Sequence, residues 1–228
     1  MPSDPQSSLI TITNPRSPIA EAYRSLRTNL EFSSLDRPLR TLIVTSAGPE
    51  EGKSTTLANL AVTMALAGKR VILVDCDLRR PSLHRIFGVR NGAGLTTMLV
   101  DDEAMRNPPF QETGVSNLRL LPSGPLPPNP SELLGSRRME EIIASLTEKA
   151  DIVLFDAPPI IAVTDAAVLS SRVDGVLLVI NAGRTKREHA QRAKALLEKV
   201  NARLVGAVLN NVPFDVSLHR YYAEQEQI

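Results

Sequence analysis

Thr41-Leu-Ile-Val-Thr-Ser-Ala-Gly-Pro-Glu-Glu-Gly-Lys-Ser-Thr55 is the stretch whose reading settles the architecture. Leu42, Ile43 and Val44 form a short apolar run that reads as a buried strand. Ala47 to Gly52 holds two glycines and a proline and reads as a loop. From Lys53 the apolar residues recur at Leu57, Leu60, Ala61, Met64 and Ala65, which is helical spacing. Strand, glycine loop and helix in that order are the context of a phosphate-binding loop. The first N–H groups of such a helix lack intrahelical partners and carry partial positive charge, so they suit an anion. Gly52 lets the backbone pass close to a phosphate, where a Cβ would intrude. Lys53 can reach the β- and γ-phosphates, and the Ser54 hydroxyl can ligate Mg²⁺. The match to G-x-x-x-x-G-K-[ST] departs at its first glycine, where Ala47 stands.

Outward from the loop, strands and helices alternate. Gly68 stops the first helix. Arg70-Val-Ile-Leu-Val74 is a second apolar strand, ending in Asp75-Cys-Asp-Leu-Arg-Arg-Pro81. Ligand chemistry in open α/β sheets sits at the carboxyl ends of strands, where Asp75 and Asp77 fall. Two aspartates so placed are candidates for metal binding and proton handling; an aspartate-built turn or cap is the structural alternative. Asp151-Ile-Val-Leu-Phe-Asp156 is a third strand, ended by Pro158 and Pro159. An apolar run closing on aspartate is what a Walker B element requires, with Asp156 on Mg²⁺ directly or through water. Thr164 caps a further helix, 175–180 is a fourth strand, 186–200 a helix, and 204–209 a fifth strand ending at Asn210 and Asn211. Amides there can hydrogen-bond an adenine; loop turning accounts for them equally well. The candidate nucleotide contacts are therefore Gly48, Glu51, Gly52, Lys53, Ser54, Thr55 and Asn210.

Residues 88–130 are irregular and proline-rich, and read as a surface excursion with one short strand at 118–121. Ser131 is expected to cap a helix through Leu134, and another helix covers 138–146. Upstream of the loop, residues 1 to about 14 read as poorly ordered. Ser17 and Pro18 then look like an N-cap and a first-turn proline. The helix they open is expected to bury Ile19, Tyr23, Leu26 and Leu30, leaving Glu21, Arg24 and Arg27 mostly on the other side. That charged stripe is either a solvated face or a contact with another subunit. The tail from Ser217 to Ile228 lacks an apolar period and carries Tyr221 and Tyr222 side by side. The expected organisation is a flexible segment over 1–16, one domain over 17–215, and a flexible tail over 216–228.

Composition narrows the class. The chain has 228 residues, 43% hydrophobic and 22% charged, enough for one α/β domain with its own core. A net charge of +1 gives no global signal for nucleic acid. The single cysteine, Cys76, excludes an intrachain disulfide and fits a reducing compartment. No apolar run approaches the ~20 residues that span a bilayer, and the first residues do not read as a signal peptide. The expectation is a cytosolic protein. The three histidines are isolated, without metal-ligand spacing.

Four features stand together: the loop 47–55, Ile72-Leu-Val-Asp-Cys-Asp-Leu-Arg79, Ile152-Val-Leu-Phe-Asp-Ala-Pro-Pro159, and Glu21-x-x-Arg24-x-x-Arg27. The set resembles the cytoplasmic domain of the bacterial protein tyrosine kinases of capsule and exopolysaccharide synthesis. The similarity covers nearly the whole chain, including Pro128-Asn-Pro-Ser-Glu-Leu-Leu134. It implies a three-layer P-loop NTPase with a mostly parallel sheet flanked by helices. It implies ATP and Mg²⁺, with Lys53, Asp75, Asp77 and Asp156 catalytic and Ser54, Asp77 and Asp156 on the metal. Asp75 would accept or orient the tyrosine proton. Glu21, Arg24 and Arg27 would close a ring of subunits, each presenting Tyr221 and Tyr222 to the next as phosphoacceptors. The implied partners are other copies of the chain, a membrane-spanning polysaccharide co-polymerase activator and a tyrosine phosphatase, with no nucleic acid. The implied location is the inner face of the cell membrane, reached through that activator. Two alternatives stay open: an ATP-binding scaffold of the polysaccharide machinery with little kinase activity, and a partition or septum-site switch ATPase. The latter carries a signature lysine early in the loop, where this chain has Gly48.

Overall fold

The computed structural model describes residues 9–213. A single turn, α1 (Ile10–Thr13), precedes α2 (Pro18–Ser33), β1 (Thr41–Ser46), α3 (Lys53–Leu66) and β2 (Val71–Asp75). Then come α4 (Leu83–Ile86), α5 (Leu95–Val100), α6 (Asp102–Arg106), β3 (Gln111–Glu112) and β4 (Leu118–Leu121). The rest is α7 (Pro130–Leu134), α8 (Arg137–Lys149), β5 (Ile152–Asp156), α9 (Asp165–Ser170), β6 (Gly175–Asn181), α10 (Arg187–Lys199) and β7 (Leu204–Asn210). The sheet order is β3-β4-β2-β5-β1-β6-β7. Every described pairing is parallel except the edge pair β3–β4.

Successive strand residues point to opposite faces, and helices cover both, so the inner strands read as unbroken apolar runs. In β1, Ile43 joins the cluster under α5, α8, α9 and α10, whereas Leu42 and Val44 join the one under α2 and α3. In β5, Val153 and Phe155 face the first side and Leu154 the second. This is the expected three-layer P-loop fold. Thr56 through Ala65 are all buried, because α3 lies between the sheet and α2.

Five expectations need correction. Residues from Leu9 onward pack: Leu9 is fully buried, and Thr11 bonds the Asn59 side chain through its N–H (3.1 Å) and hydroxyl (2.9 Å). In α2, capped by the Ser17 hydroxyl, the innermost residues are Ala20 and Leu30, and Ile19 is 49% exposed. Adjacent helical residues lie about 100° apart, so seating Ala20 against the core turns Ile19 outward. Asn129 and Pro130, not Ser131, open α7, with the proline in the first turn where its missing N–H costs nothing. Thr164 holds the N-cap position of α9 as expected but makes no side-chain capping bond there; its hydroxyl donates to Ser131 Oγ at 3.1 Å. Residues 88–130 build no separate core: Leu95, Met98 and Leu121 join the cluster beneath α8.

Candidate active site

Strands β2, β5 and β1 are parallel neighbours, so their carboxyl ends adjoin. Asp75 and Asp156 stand opposite each other in register, and Val44 stands opposite Asp156 on the other side. The loop from β1 into α3 passes through Glu50 (φ 58°) and Gly52 (φ 85°), both in the left-handed region. At Gly52 a second constraint applies. A Cβ there would lie 2.1 Å from Asn210 Nδ2, which donates to the Glu51 carbonyl at 3.0 Å. The glycine therefore makes room for the tip of β7.

Lys53 Nζ lies 2.9 Å from Asp77 Oδ2, 3.2 Å from Asp156 Oδ1 and 3.1 Å from Ser54 Oγ. The Ser54 hydroxyl donates to Asp156 Oδ2 at 2.5 Å. Burial alone would lower the Lys53 pKa, but the charges of Asp156 and Asp77 outweigh it and hold the ammonium above its usual range. Asp156 is fully buried and its carboxyl is raised, chiefly by desolvation, against the opposing pull of Lys53 and Ser54. Asp75 is pushed up to about 7, first by burial and then by the charge of Asp156. Its oxygens accept three backbone N–H groups: Asp77 on Oδ1 (3.2 Å), Ser82 and Leu83 on Oδ2 (both 3.0 Å). Asp77 Oδ1 accepts the Arg80 N–H at 3.0 Å. The turn-building reading of these aspartates is thus realised in both, and Asp77 also meets Lys53.

No group of three or more His, Cys, Asp or Glu among the described residues is arranged to hold a metal ion by itself. The donor set still fits Mg²⁺, which takes one or two carboxylates and completes its shell with water and substrate phosphates. Ser54 and Asp156 are already in contact, and Lys53 bridges Asp156 to Asp77.

The remaining candidate nucleotide contacts divide. Glu51 through Thr55 line a cleft of about 880 Å³, together with Asp77. Glu51 is 7% exposed; its Oε1 accepts the Thr185 hydroxyl at 2.6 Å, and its Oε2 has no partner among the described residues. That bond ties the phosphate loop to the turn after β6. Gly48 lies outside the cleft wall, its carbonyl accepting the Ser46 hydroxyl at 2.7 Å. Asn210 braces the loop, and Asn211 (φ 56°) makes the turn.

Sequence reasoning missed three features. The far wall of the cleft is built by Arg80, Ser82, His84 and Arg85. Its signal was the basic run directly after Asp77. Arg79 does not face the cleft in this network: it grips Asp165 with two bonds, 2.9 and 3.0 Å. The Ser131 hydroxyl donates to the same Asp165 carboxylate. Burial would raise Asp165, but the bonds from Arg79 and Ser131 win and hold its carboxyl below the usual range. Nothing local in the sequence pairs residues 79, 131 and 165. The third is the Thr185 latch.

On α2, Glu21 and Arg24 pair at 2.6 Å, and Arg24 also reaches the Pro15 carbonyl at 2.9 Å. Arg27 turns inward and donates to the Thr63 carbonyl of α3 at 3.1 Å, so it is only partly available to a second subunit. Tyr23 is half-buried and meets Thr56. Tyr221 and Tyr222 lie outside the described residues. Among the described residues no helix is long and apolar enough to cross a membrane.

A family model described as the CobQ/CobB/MinD/ParA nucleotide binding domain matches residues 42–228. The tyrosine-protein kinase YwqD of Bacillus subtilis (strain 168) is 45% identical over 205 residues, 90% of this chain and 86% of YwqD. The crystal structure of the chimerical protein CapA2B2 superposes with a TM-score of 0.87 at 38% identity, covering 91% of each chain. The kinase domain of the Escherichia coli tyrosine kinase ETK gives 0.86 at 33% identity, covering 92% of this chain and 82% of that one. In full-length Etk of strain K12 the matched part is 28% of the protein. Three strand tips that converge on a lysine-bridged carboxylate pair, and likeness of this extent, give one assignment: the chain belongs to the CobQ/CobB/MinD/ParA nucleotide-binding family and, within it, to the bacterial protein tyrosine kinases.

Proposed function

We infer that the protein is an ATP-dependent tyrosine kinase whose phosphoacceptors are Tyr221 and Tyr222 of another copy. The observation that carries this reading is the Lys53 ammonium held between Asp77 and Asp156 beside the Ser54 hydroxyl. A triphosphate entering the cleft competes for that ammonium. Moving Lys53 onto phosphate oxygens leaves two carboxylates without their counter-charge, which favours a divalent cation at the same place. Ser54, Asp77 and Asp156 would hold Mg²⁺, which when bound neutralises charge on the β- and γ-phosphate oxygens. The loop N–H groups and Lys53 orient the donor for in-line transfer. A tyrosine hydroxyl has a pKa of ~10 and needs a base near neutrality. Asp75, whose carboxyl sits at about 7, is our choice for that base. It is buried under three N–H donors, so accepting the proton requires the turn at 77–83 to loosen.

On this reading Glu21 and Arg24 contact the neighbouring subunit, and a membrane-spanning activator holds the ring at the inner face of the membrane. A phosphatase resets the tail, and the cycle governs polysaccharide synthesis and export. The test is incubation with ATP and Mg²⁺, then mass spectrometry of the tail. Phosphate on Tyr221 or Tyr222 is expected, and none in Lys53→Met. An unmodified tail in the presence of the activator segment, with nucleotide still bound, would leave a regulatory scaffold instead. An activity that depends on DNA or bare lipid would point to a switch ATPase.

A further inference from the structure

We propose that the basic wall of the cleft, Arg80 with Arg85, recognises Glu224 and Glu226 of the tail and thereby selects Tyr222 over Tyr221 as the acceptor. The inference rests on the kinase reading above and adds the determinant of acceptor choice.

Arg80 and Arg85 line the same cleft as Lys53, Asp77 and the phosphate loop. Their neighbour Arg79 is consumed by Asp165. Arg80 is fixed through its backbone, whose N–H donates to Asp77, while its exposed guanidinium makes no ion pair with any described residue. Arg85 has only a 3.3 Å bond to the Pro81 carbonyl. His84 sits between them with its pKa lowered by burial and by Arg85, so it adds no charge at neutral pH. Two cations without an ion pair among the described residues thus line the cleft that holds Lys53, Ser54 and Asp77.

The tail reads His219-Arg-Tyr-Tyr-Ala-Glu-Gln-Glu226. An acceptor strand reaching into a cleft lies extended, and extended residues alternate faces. Tyr222, Glu224 and Glu226 then share one face, and Tyr221 shares the other with Ala223 and Gln225. Successive same-face residues are about 6.6 Å apart. With Tyr222 at the phosphate, the two glutamates run outward along one wall. A wall of arginines matches them, whereas presenting Tyr221 would turn both glutamates away. Such pairs are solvent-screened, so each contributes modestly and the effect weakens with salt.

The test mixes active full-length enzyme with an isotope-labelled Lys53→Met chain as acceptor and follows phosphate by mass spectrometry. Labelled Tyr222 is expected to be modified ahead of Tyr221. Glu224→Gln with Glu226→Gln in the acceptor is expected to raise its KM about tenfold with kcat little changed. Enzyme carrying Arg80→Glu and Arg85→Glu is expected to lose rate on the native acceptor and to regain it on a Glu224→Lys, Glu226→Lys acceptor. An unchanged KM for the neutralised tail, equal modification of both tyrosines, or failure of the charge swap to rescue overturns the proposal. If no tail is modified at all, the kinase reading falls. Anisotropy of a labelled 214–228 peptide still decides the wall: binding lost on charge reversal supports it, and binding that is absent or insensitive to it refutes it.

Discussion

Asp75 and Asp77 are two residues apart yet do different physical work. Asp77 meets the Lys53 ammonium, whereas Asp75 is bonded to backbone alone. Asp77→Asn should therefore weaken Mg²⁺-dependent nucleotide binding by ~10-fold or more, read by titration with a fluorescent nucleotide. Asp75→Asn should leave binding nearly intact and slow transfer ~10²–10⁴-fold in single turnovers. The reverse order would exchange their roles. Arg79 supports a prediction about acid stability. Asp165 is buried, and its carboxyl is held below its unfolded value. A depressed acid stabilises the fold fully above its unfolded pKa of ~3.9, and that contribution is lost as pH falls through the folded pKa. Breaking a buried pair costs ~3–5 kcal/mol, and the 42% exposure of the Arg79 side chain reduces this to about 1–3 kcal/mol for Arg79→Ala. Denaturant melts should show that gap at pH 7 and see it close below about pH 4. A gap independent of pH would mean that Arg79 acts through packing alone.

Helix α2 is the element where surface and core claims compete. Its Glu21–Arg24 pair is exposed enough to meet a neighbour, but Arg27 is tied to α3, the helix of the phosphate loop. Replacing all three residues would therefore confuse assembly with folding. Glu21→Ala with Arg24→Ala should reduce the assembled mass in light scattering while nucleotide binding survives. Unchanged assembly would remove the interface claim. Arg27→Ala should instead lower the melting temperature, since a hydrogen bond from a charged donor is worth about 1.5–3 kcal/mol and this one is part-buried. The phase of α2 was readable to within one residue and no better. Ile19 and Ala20 are adjacent and both apolar, and only the packing against the core decided which turned inward.

At the scale of the whole molecule, the proposed function makes charge couple metal to nucleotide. Lys53 neutralises Asp77 and Asp156 in this structure, and on the proposed reading phosphate draws it away. Mg²⁺ and ADP added together should raise the melting temperature by more than the sum of their separate effects, since each stabilises by mass action only as tightly as it binds. Simple additivity in a thermal-shift titration would refute this exchange. The phosphate loop, the paired aspartates and every described strand but the two-residue β3 were legible in the chain itself. Fully covered parallel strands are continuous apolar runs, and the loop's chemistry is carried by consecutive residues. The latch from Thr185 to Glu51, the brace from Asn210 and the grip of Arg79 on Asp165 were not, because each joins residues more than 80 positions apart. Sequence alone determined which groups exist and that they end strands. Only the tertiary structure decided that β5 lies between β2 and β1, which brings Asp75 and Asp156 into register and places one ammonium between two carboxylates. The physical reason is that strand order is set by how two helical layers bury both faces of the sheet, a property of the folded whole that no local run of residues encodes.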